Sequence, residues 1–244
     1  MNLLPREKVL YTGPGLYSAV KVTKNGSRVN LFTGDQYLQS SFDFNHAPTG
    51  TVFDWYLAAP WFSGSFDGCL GSMLILGLGA GAQVKLFNQT YEVKKIVGVE
   101  IDPLIIDLGK KYFDLNDSNL EIIQGDVITY RHSGRFDLII LDAFRENKFV
   151  DLSGLSILTD RGVLVINRVL GDVANRELEK DLVRIFTTVY ALKVINNVFY
   201  ICTNSDEAPR SSTEVKKILN AAAKSNKNLD FLKSFRSSNL HLLW

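Results

Sequence analysis

Four short apolar runs set the rhythm of this chain: Leu74-Ile75-Leu76, Ile96-Val97-Gly98-Val99, Leu120-Glu121-Ile122-Ile123 and Phe136-Asp137-Leu138-Ile139-Ile140-Leu141. They are rich in β-branched residues and nearly continuous, the pattern of strands buried on both faces of a parallel sheet. Between them the apolar period changes. Gln83 to Tyr91 reads as a first helix, and a second runs from Pro103 to Phe113, with proline in its first turn, where its fixed φ is welcome. This alternation predicts an α/β fold, a doubly wound Rossmann-like sheet with right-handed crossovers.

The flanks differ. From Lys8 to Asp43 the pattern is that of short alternating strands, 8–11, 17–22, 28–33 and 37–42, broken at Gly13-Pro14-Gly15 and by an Asn25-Gly26 hairpin signal. Such a sheet is too slight to stand alone and should pack on the main body. Val52 to Phe62 carries apolar residues at helical spacing until Ser63-Gly64-Ser65. Downstream, Gly162 to Asn167 predicts a fifth strand and Asp172 to Val189 a helix of mixed charge. Ala191–Ile195 and Val198–Thr203 predict a hairpin turning at Asn196-Asn197, which makes one sheet edge antiparallel. A basic helical stretch follows from Ser211 to Phe235, and the apolar end, Leu240 to Trp244, is expected to dock on the body or on a second subunit. The expected division is a small β-domain over 1–50, a nucleoside-binding domain over 51–204 and a helical extension over 205–244.

Composition narrows the function. The chain has 244 residues, 46% of them hydrophobic, and a net charge of +1, which gives no general reason to expect nucleic acid or an anionic membrane as partner. Cys69 and Cys202 are too few for a disulfide framework, and no paired cysteines suggest zinc, so no metal is expected. His46, His132 and His241 are scattered, and no serine sits in a nucleophile elbow. No charged-then-apolar leader or bilayer-length apolar stretch is present in the sequence, so the expectation is a cytoplasmic protein.

Candidate chemistry collects at the strand ends. The first run closes on Gly77, Gly79 and Gly81, where a backbone free of β-carbons turns sharply ahead of a helix N-terminus. The next runs close on acids: Glu100 with Asp102, then Asp126, then Asp142. Ligands of open α/β sheets bind along this carboxyl edge. The glycine turn also satisfies a dinucleotide fingerprint, and an acid after the second strand binds a ribose diol in either cofactor class. Three carboxylates decide between them, because they repel a diphosphate and attract a sulfonium cation. Two readings stay open for Asp126, an adenine contact and a helix N-cap.

Taken together, Leu74 to Gly81, Val99-Glu100-Ile101-Asp102-Pro103, Gly125-Asp126 and Phe136 through Asp142-Ala143-Phe144 resemble the spermidine synthase family, with its spermidine-synthase-like members, within the S-adenosylmethionine-dependent methyltransferase superfamily. The likeness extends upstream to Gln39-Ser40-Ser41 and Val52-Phe53-Asp54 and covers most of the chain to about Thr203. It implies S-adenosylmethionine or its decarboxylated form in the cleft, with Gln39, the glycines, Ile101 and Val127 around the nucleoside. It also implies Glu100 on the ribose, Asp126 on the adenine, Asp142 beside the reacting amine, Asp54 and Tyr56 near a small-molecule acceptor, and a homodimer.

Four departures bear on the reaction. The family carries an aspartate in the glycine turn, which grips the amine of the decarboxylated cofactor, and here that position is Ala80; a second aspartate is replaced by Arg145. Trp55 and Tyr56 stand where the family has a tyrosine-histidine pair, and the segment from Glu146 to Arg161 is short enough to lose most of a helix. Fewer acids and a guanidinium disfavour a dicationic diamine, whereas arginine can take a carboxylate in paired hydrogen bonds. The expectation is therefore methyl transfer to a small acceptor, ahead of aminopropyl transfer to a polyamine. A catalytically silent nucleoside-binding or assembly protein is the third reading.

Overall fold

A computed structural model describes residues 7–34, 36–46, 48–143 and 157–243. Most of the segment from Glu146 to Arg161, where a helix is expected to be largely lost, lies outside the described residues, as do Arg145 and Trp244.

The first sheet is an antiparallel meander of β1 (Lys8–Pro14), β2 (Ala19–Asn25), β3 (Arg28–Thr33) and β4 (Tyr37–Asp43). Val20, Val22, Val29 and Leu31 bury one face against the body of the molecule, as their alternation dictates. The β2–β3 hairpin turns at Gly26-Ser27, since Asn25 pairs with Arg28, and Gly26 supplies the positive φ of +60° that the turn needs. The break expected at Gly13 falls later: Gly13 and Pro14 still pair with Val20 and Ala19. In β4, Ser40 pairs with Leu31 and Leu38 with Phe32, leaving Gln39 as an extra, bulged residue.

The main sheet has eight strands. Parallel strands β6 (Met73–Leu76), β8 (Ile96–Glu100), β9 (Leu120–Gln124), β10 (Phe136–Leu141) and β11 (Leu158–Val169) lie in the order β11-β10-β6-β8-β9. Beyond β11 come β13 (Asn197–Thr203), β12 (Thr188–Val194) and β14 (Leu240–Leu243), all antiparallel to their neighbours. A two-residue parallel pair, β5 (Cys69–Leu70) and β7 (Glu92–Val93), sits apart. The apolar C-terminal segment thus docks on the body, as β14 along β12.

Two expectations are corrected at this edge. The helix expected over 172–189 is α3 (Asn175–Ile185), because Thr188 and Val189 already pair with Thr203 and Cys202. The hairpin turns at Ile195-Asn196 rather than Asn196-Asn197, since Val194 pairs with Asn197. Ile195 therefore sits at φ +54°, an uncommon conformation for a β-branched side chain.

Strand alternation sorts the core into two layers. Met73, Ile75, Leu138, Ile140, Val163 and Val165 face α1 (Ala82–Thr90), α2 (Pro103–Tyr112), α4 (Ser212–Ser225) and the first sheet. Leu74, Leu76, Val97, Val99, Ile139 and Ile166 face the opposite way, against Leu178 and Leu182 of α3. The expected helix after residue 52 is a 3-10 helix, Val52–Ser63, buried on most sides, with Pro60 inside it. It ends at Gly64, where a β-carbon would meet the Glu207 carbonyl oxygen at 1.8 Å. This helix belongs to the core and joins the two sheets.

Candidate functional site

The carboxyl ends of β6, β8, β9 and β10 open onto a cleft of about 830 Å³, lined also by Tyr17 of the β1–β2 loop and by Tyr37 and Gln39 of β4. That is the size of a small-molecule site. Gly77, Gly79, Glu100, Ile101, Asp126, Val127 and Asp142 all line it. Among the described residues, its lining holds four acids, Glu100, Asp102, Asp126 and Asp142, and no lysine or arginine.

The glycine turn works differently from the sequence expectation. Gly77, Gly79 and Gly81 have φ values of +93°, +56° and +83°, so the conformation does require glycine. The space beside them is nonetheless filled by the protein itself. A β-carbon on Gly77 would lie 2.5 Å from the Asp142 carbonyl oxygen, one on Gly79 2.8 Å from Ser40 Oγ, and one on Gly81 2.2 Å from the Leu115 side chain. The amides are engaged as well. Gly77 and Leu78 donate to the Val99 carbonyl (3.0 and 2.9 Å), and Gly81 donates to Leu78 (3.1 Å). Gly79 donates to Glu100 Oε2 (2.8 Å) and Ala80 to Ser40 Oγ (3.1 Å). A turn with its N–H groups so occupied is no diphosphate cradle. Gly81 itself caps α1 and packs on Leu115, behind the cleft wall.

Glu100 is 6% exposed and holds this wall together. Besides Gly79, it accepts the amides of Ile101 (2.9 Å) and Asp102 (3.0 Å). Burial raises its pKa, and those three amide bonds oppose the rise. Asp102 caps α2 through Leu104 N (2.9 Å) and accepts Leu16 N from the β1–β2 loop at 2.7 Å, fastening that loop to the main body. Asp126 closes a turn onto the Ile128 amide (2.9 Å), so its cap-like bond serves a turn rather than a helix N-terminus.

Asp142, at the end of β10, accepts from Asn167 Nδ2 at 3.0 Å. Burial raises its pKa, with Tyr56 and Asn167 opposing. Tyr56, on the 3-10 helix, is wholly buried beside Asp142 and Asn167, with which its hydroxyl interacts, and it is absent from the cleft lining. Burial first, then the Asp142 charge, pushes its phenol well above the usual range. Asp54 needs a correction: its carboxylate accepts Thr49 N (2.8 Å), Thr49 Oγ1 (2.9 Å) and Gly50 N (2.7 Å), and it is absent from the cleft lining. It braces the entry to the 3-10 helix. Arg145 lies outside the described residues.

Two further polar atoms are buried without partners among the described residues, Gln39 Oε1 and Gln83 Oε1, and both side chains line the cleft. Each unpaired buried acceptor costs about 1–3 kcal/mol unless a ligand supplies the donor. The four acids of the lining fit a positively charged adenosyl compound. Sequence reasoning missed Gln83 and Asn167. Gln83 had a signal: it shares the apolar stripe of α1 with Leu86, Phe87 and Thr90, an unusual place for an amide. No described group of three or more His, Cys, Asp or Glu is placed to hold a metal ion, and no described helix is long and apolar enough to cross a membrane.

No family model matches the sequence. Among curated proteins, the chain is 31% identical over 138 residues to a probable polyamine aminopropyl transferase of Bifidobacterium longum, covering 56% of this chain and 30% of that protein. It is 26% identical over 185 residues to the eEF1A lysine and N-terminal methyltransferase of Danio rerio, covering 64% of this chain and 27% of the other. The chain thus spans less than a third of the length of either relative. Among solved structures, a probable spermidine synthase from Corynebacterium glutamicum superposes with a TM-score of 0.65 at 15% identity, covering 89% of this chain and 94% of that one. Human methyltransferase-like protein 13 in complex with SAH superposes with a TM-score of 0.56 at 20% identity, covering 73% and 90%.

Proposed function

We propose that this chain, a spermidine-synthase-like member of the S-adenosylmethionine-dependent methyltransferase fold, is a transferase that binds S-adenosylmethionine and moves its methyl group to a small acceptor. The observation that carries the reading is the cleft lining: four acids, no base among the described residues, and a glycine turn whose amides are engaged within the protein. Such a site favours a cation over a diphosphate.

Glu100 is set to take a ribose hydroxyl at the one lone-pair position its three amides leave, and Asp126 the adenine amino group. When bound, the cofactor supplies an electrophilic methyl group on a sulfonium that departs as a neutral thioether. Asp142, held by Asn167 and raised by burial, receives the proton that the attacking atom of the acceptor gives up. Ala80 supports methyl over aminopropyl transfer, because it places no charge where an extra cationic chain would need one. Aminopropyl transfer is the second reading, favoured by the relative from Bifidobacterium longum and by a buried carboxylate suited to deprotonating an amine.

Calorimetric titration with S-adenosylmethionine, decarboxylated S-adenosylmethionine, methylthioadenosine and NADH tests the reading. The expected order places S-adenosylmethionine tightest and NADH without measurable binding. Preference for the decarboxylated compound favours aminopropyl transfer. Binding of none of the adenosyl compounds rejects the enzyme and leaves an assembly role.

A further inference from the structure

We propose that Asn197 is a positioning residue for the transfer, which acts through Asn167 to hold Asp142 oriented and ready to accept a proton. The inference rests on the reading of Asp142 as the proton acceptor. Asn197 Nδ2 donates to Asn167 Oδ1 at 2.8 Å, and Asn167 Nδ2 donates to Asp142 Oδ1 at 3.0 Å. All three residues line the cleft. The polarity of this relay is fixed from its end. An ionised carboxylate only accepts, so Asn167 must turn its amide nitrogen to Asp142 and its carbonyl away. That carbonyl then needs a donor, and Asn197 supplies it. Reversing the Asn167 amide would set acceptor against acceptor at Asp142 and donor against donor at Asn197.

The fold brings these groups into line. Leu141 pairs with Ile166 in the parallel ladder, which sets the next residues, Asp142 and Asn167, side by side. Across the antiparallel ladder Asn167 pairs with Phe199 and Val169 with Asn197, so the two asparagines are diagonal neighbours on one face. On that face Phe199 packs edge-to-face on Tyr56, with 4.9 Å between ring centroids, and the phenol reaches Asp142 and Asn167. The hairpin turn takes part as well. A turn at Asn196-Asn197 would suit its residue types better, because asparagine tolerates positive φ. The turn falls instead at Ile195-Asn196 and leaves Ile195, which is 72% exposed, strained at φ +54°. That register keeps Asn197 within the strand, and a slip of one residue would turn it off the cleft face.

Among the described residues, the titratable group packed on Asp142 is the Tyr56 phenol of the 3-10 helix. From β11 it meets the neutral Asn167; the adjoining Arg168 lies on the opposite face and donates to Asp172 at 2.8 Å. Glu100, Asp102 and Asp126 share the cleft. Burial raises the Asp142 carboxyl, while Tyr56 and Asn167 favour its ionised, proton-accepting form.

An NMR titration of the aspartate carboxyl carbons in the unliganded protein tests the relay, with the Asp142 signal identified by its loss in Asp142→Asn. In Asn197→Leu, Asp142 should bind its proton about threefold or more tightly, and in Asn167→Leu about tenfold or more. The double variant should titrate like Asn167→Leu alone, because Asn197 acts only through Asn167. An unmoved titration in Asn197→Leu, or shifts that add in the double variant, overturns the relay. Asn197 is half-buried, and its variant should unfold within a few degrees of the wild type. Should Asn167→Leu fail to fold, the titration of Asn197→Leu decides alone. Calorimetry separates the two readings: wild-type protein that binds no S-adenosylmethionine overturns the nucleoside reading and with it the relay's part in transfer, whereas an unmoved titration overturns the relay alone.

Discussion

The two walls of the cleft are built on opposite principles. On the β6–β8 side every amide from Gly77 to Gly81 has a protein acceptor, and Glu100 has three protein donors. Elsewhere in the lining Gln39 and Gln83 carry buried Oε1 atoms with no partner among the described residues. The first wall is satisfied by the protein's own groups but for one lone pair of Glu100; the rest of the lining keeps unpaired acceptors. Substitutions in the closed glycine turn should act on stability, and those in the open part of the lining on binding and turnover.

The largest effect is expected from Gly77→Ala, which forces a β-carbon to within 2.5 Å of the Asp142 carbonyl at a φ of +93°. A loss of about 3 kcal/mol or more should appear in denaturant unfolding. A fully stable variant would show that the turn relaxes freely and would break the contrast. Asp142→Asn lies on the open side. It should lower turnover about a hundredfold or more at constant fold. Stability near neutral pH should hold or rise: the folded-state pKa is raised, so the ionised carboxylate costs stability once pH exceeds that pKa, and asparagine removes this cost. Wild-type turnover in this variant would remove Asp142 from the chemistry.

Asp54→Ala sharpens the comparison from outside the cleft. Losing the bonds to Thr49 and Gly50 should cost about 1–2 kcal/mol in thermal or chemical unfolding, without change in cofactor affinity. A matching loss of affinity would return Asp54 to the site. The smallest effect concerns pH. Burial raises both Glu100 and Asp142, so affinity for cationic S-adenosylmethionine should begin to fall on acidification above the ordinary carboxylate range of about 4. Neutral methylthioadenosine should respond less in the same titrations, and parallel pH profiles would contradict the charge argument.

The parallel strands and their glycine and acid ends were legible in the sequence because runs such as Ile96–Val99 and Phe136–Leu141 have one physical use, burial on both faces. What escaped depended on partners far away in the chain. The helix expected over 172–189 stopped at Ile185 because β13 claims Thr188 onward, and a helical period cannot report that competition. Asp54 was placed among the substrate contacts because its own neighbourhood gave no sign that Thr49 and Gly50 would take its carboxylate. The glycines were identified correctly as turn residues, but their neighbours, Leu115 and the Asp142 backbone, are supplied by the fold. The roles of Glu100, Asp126 and Asp142 toward a ligand remain proposals that the closed and open walls make specific.

A crystal structure of the protein with S-adenosylmethionine tests the central claim most directly. The expected result is the ribose over Glu100 and the sulfonium toward Asp142. The strand tips of β6, β8, β9 and β10 found empty at saturating ligand, or the ligand bound elsewhere, would contradict it.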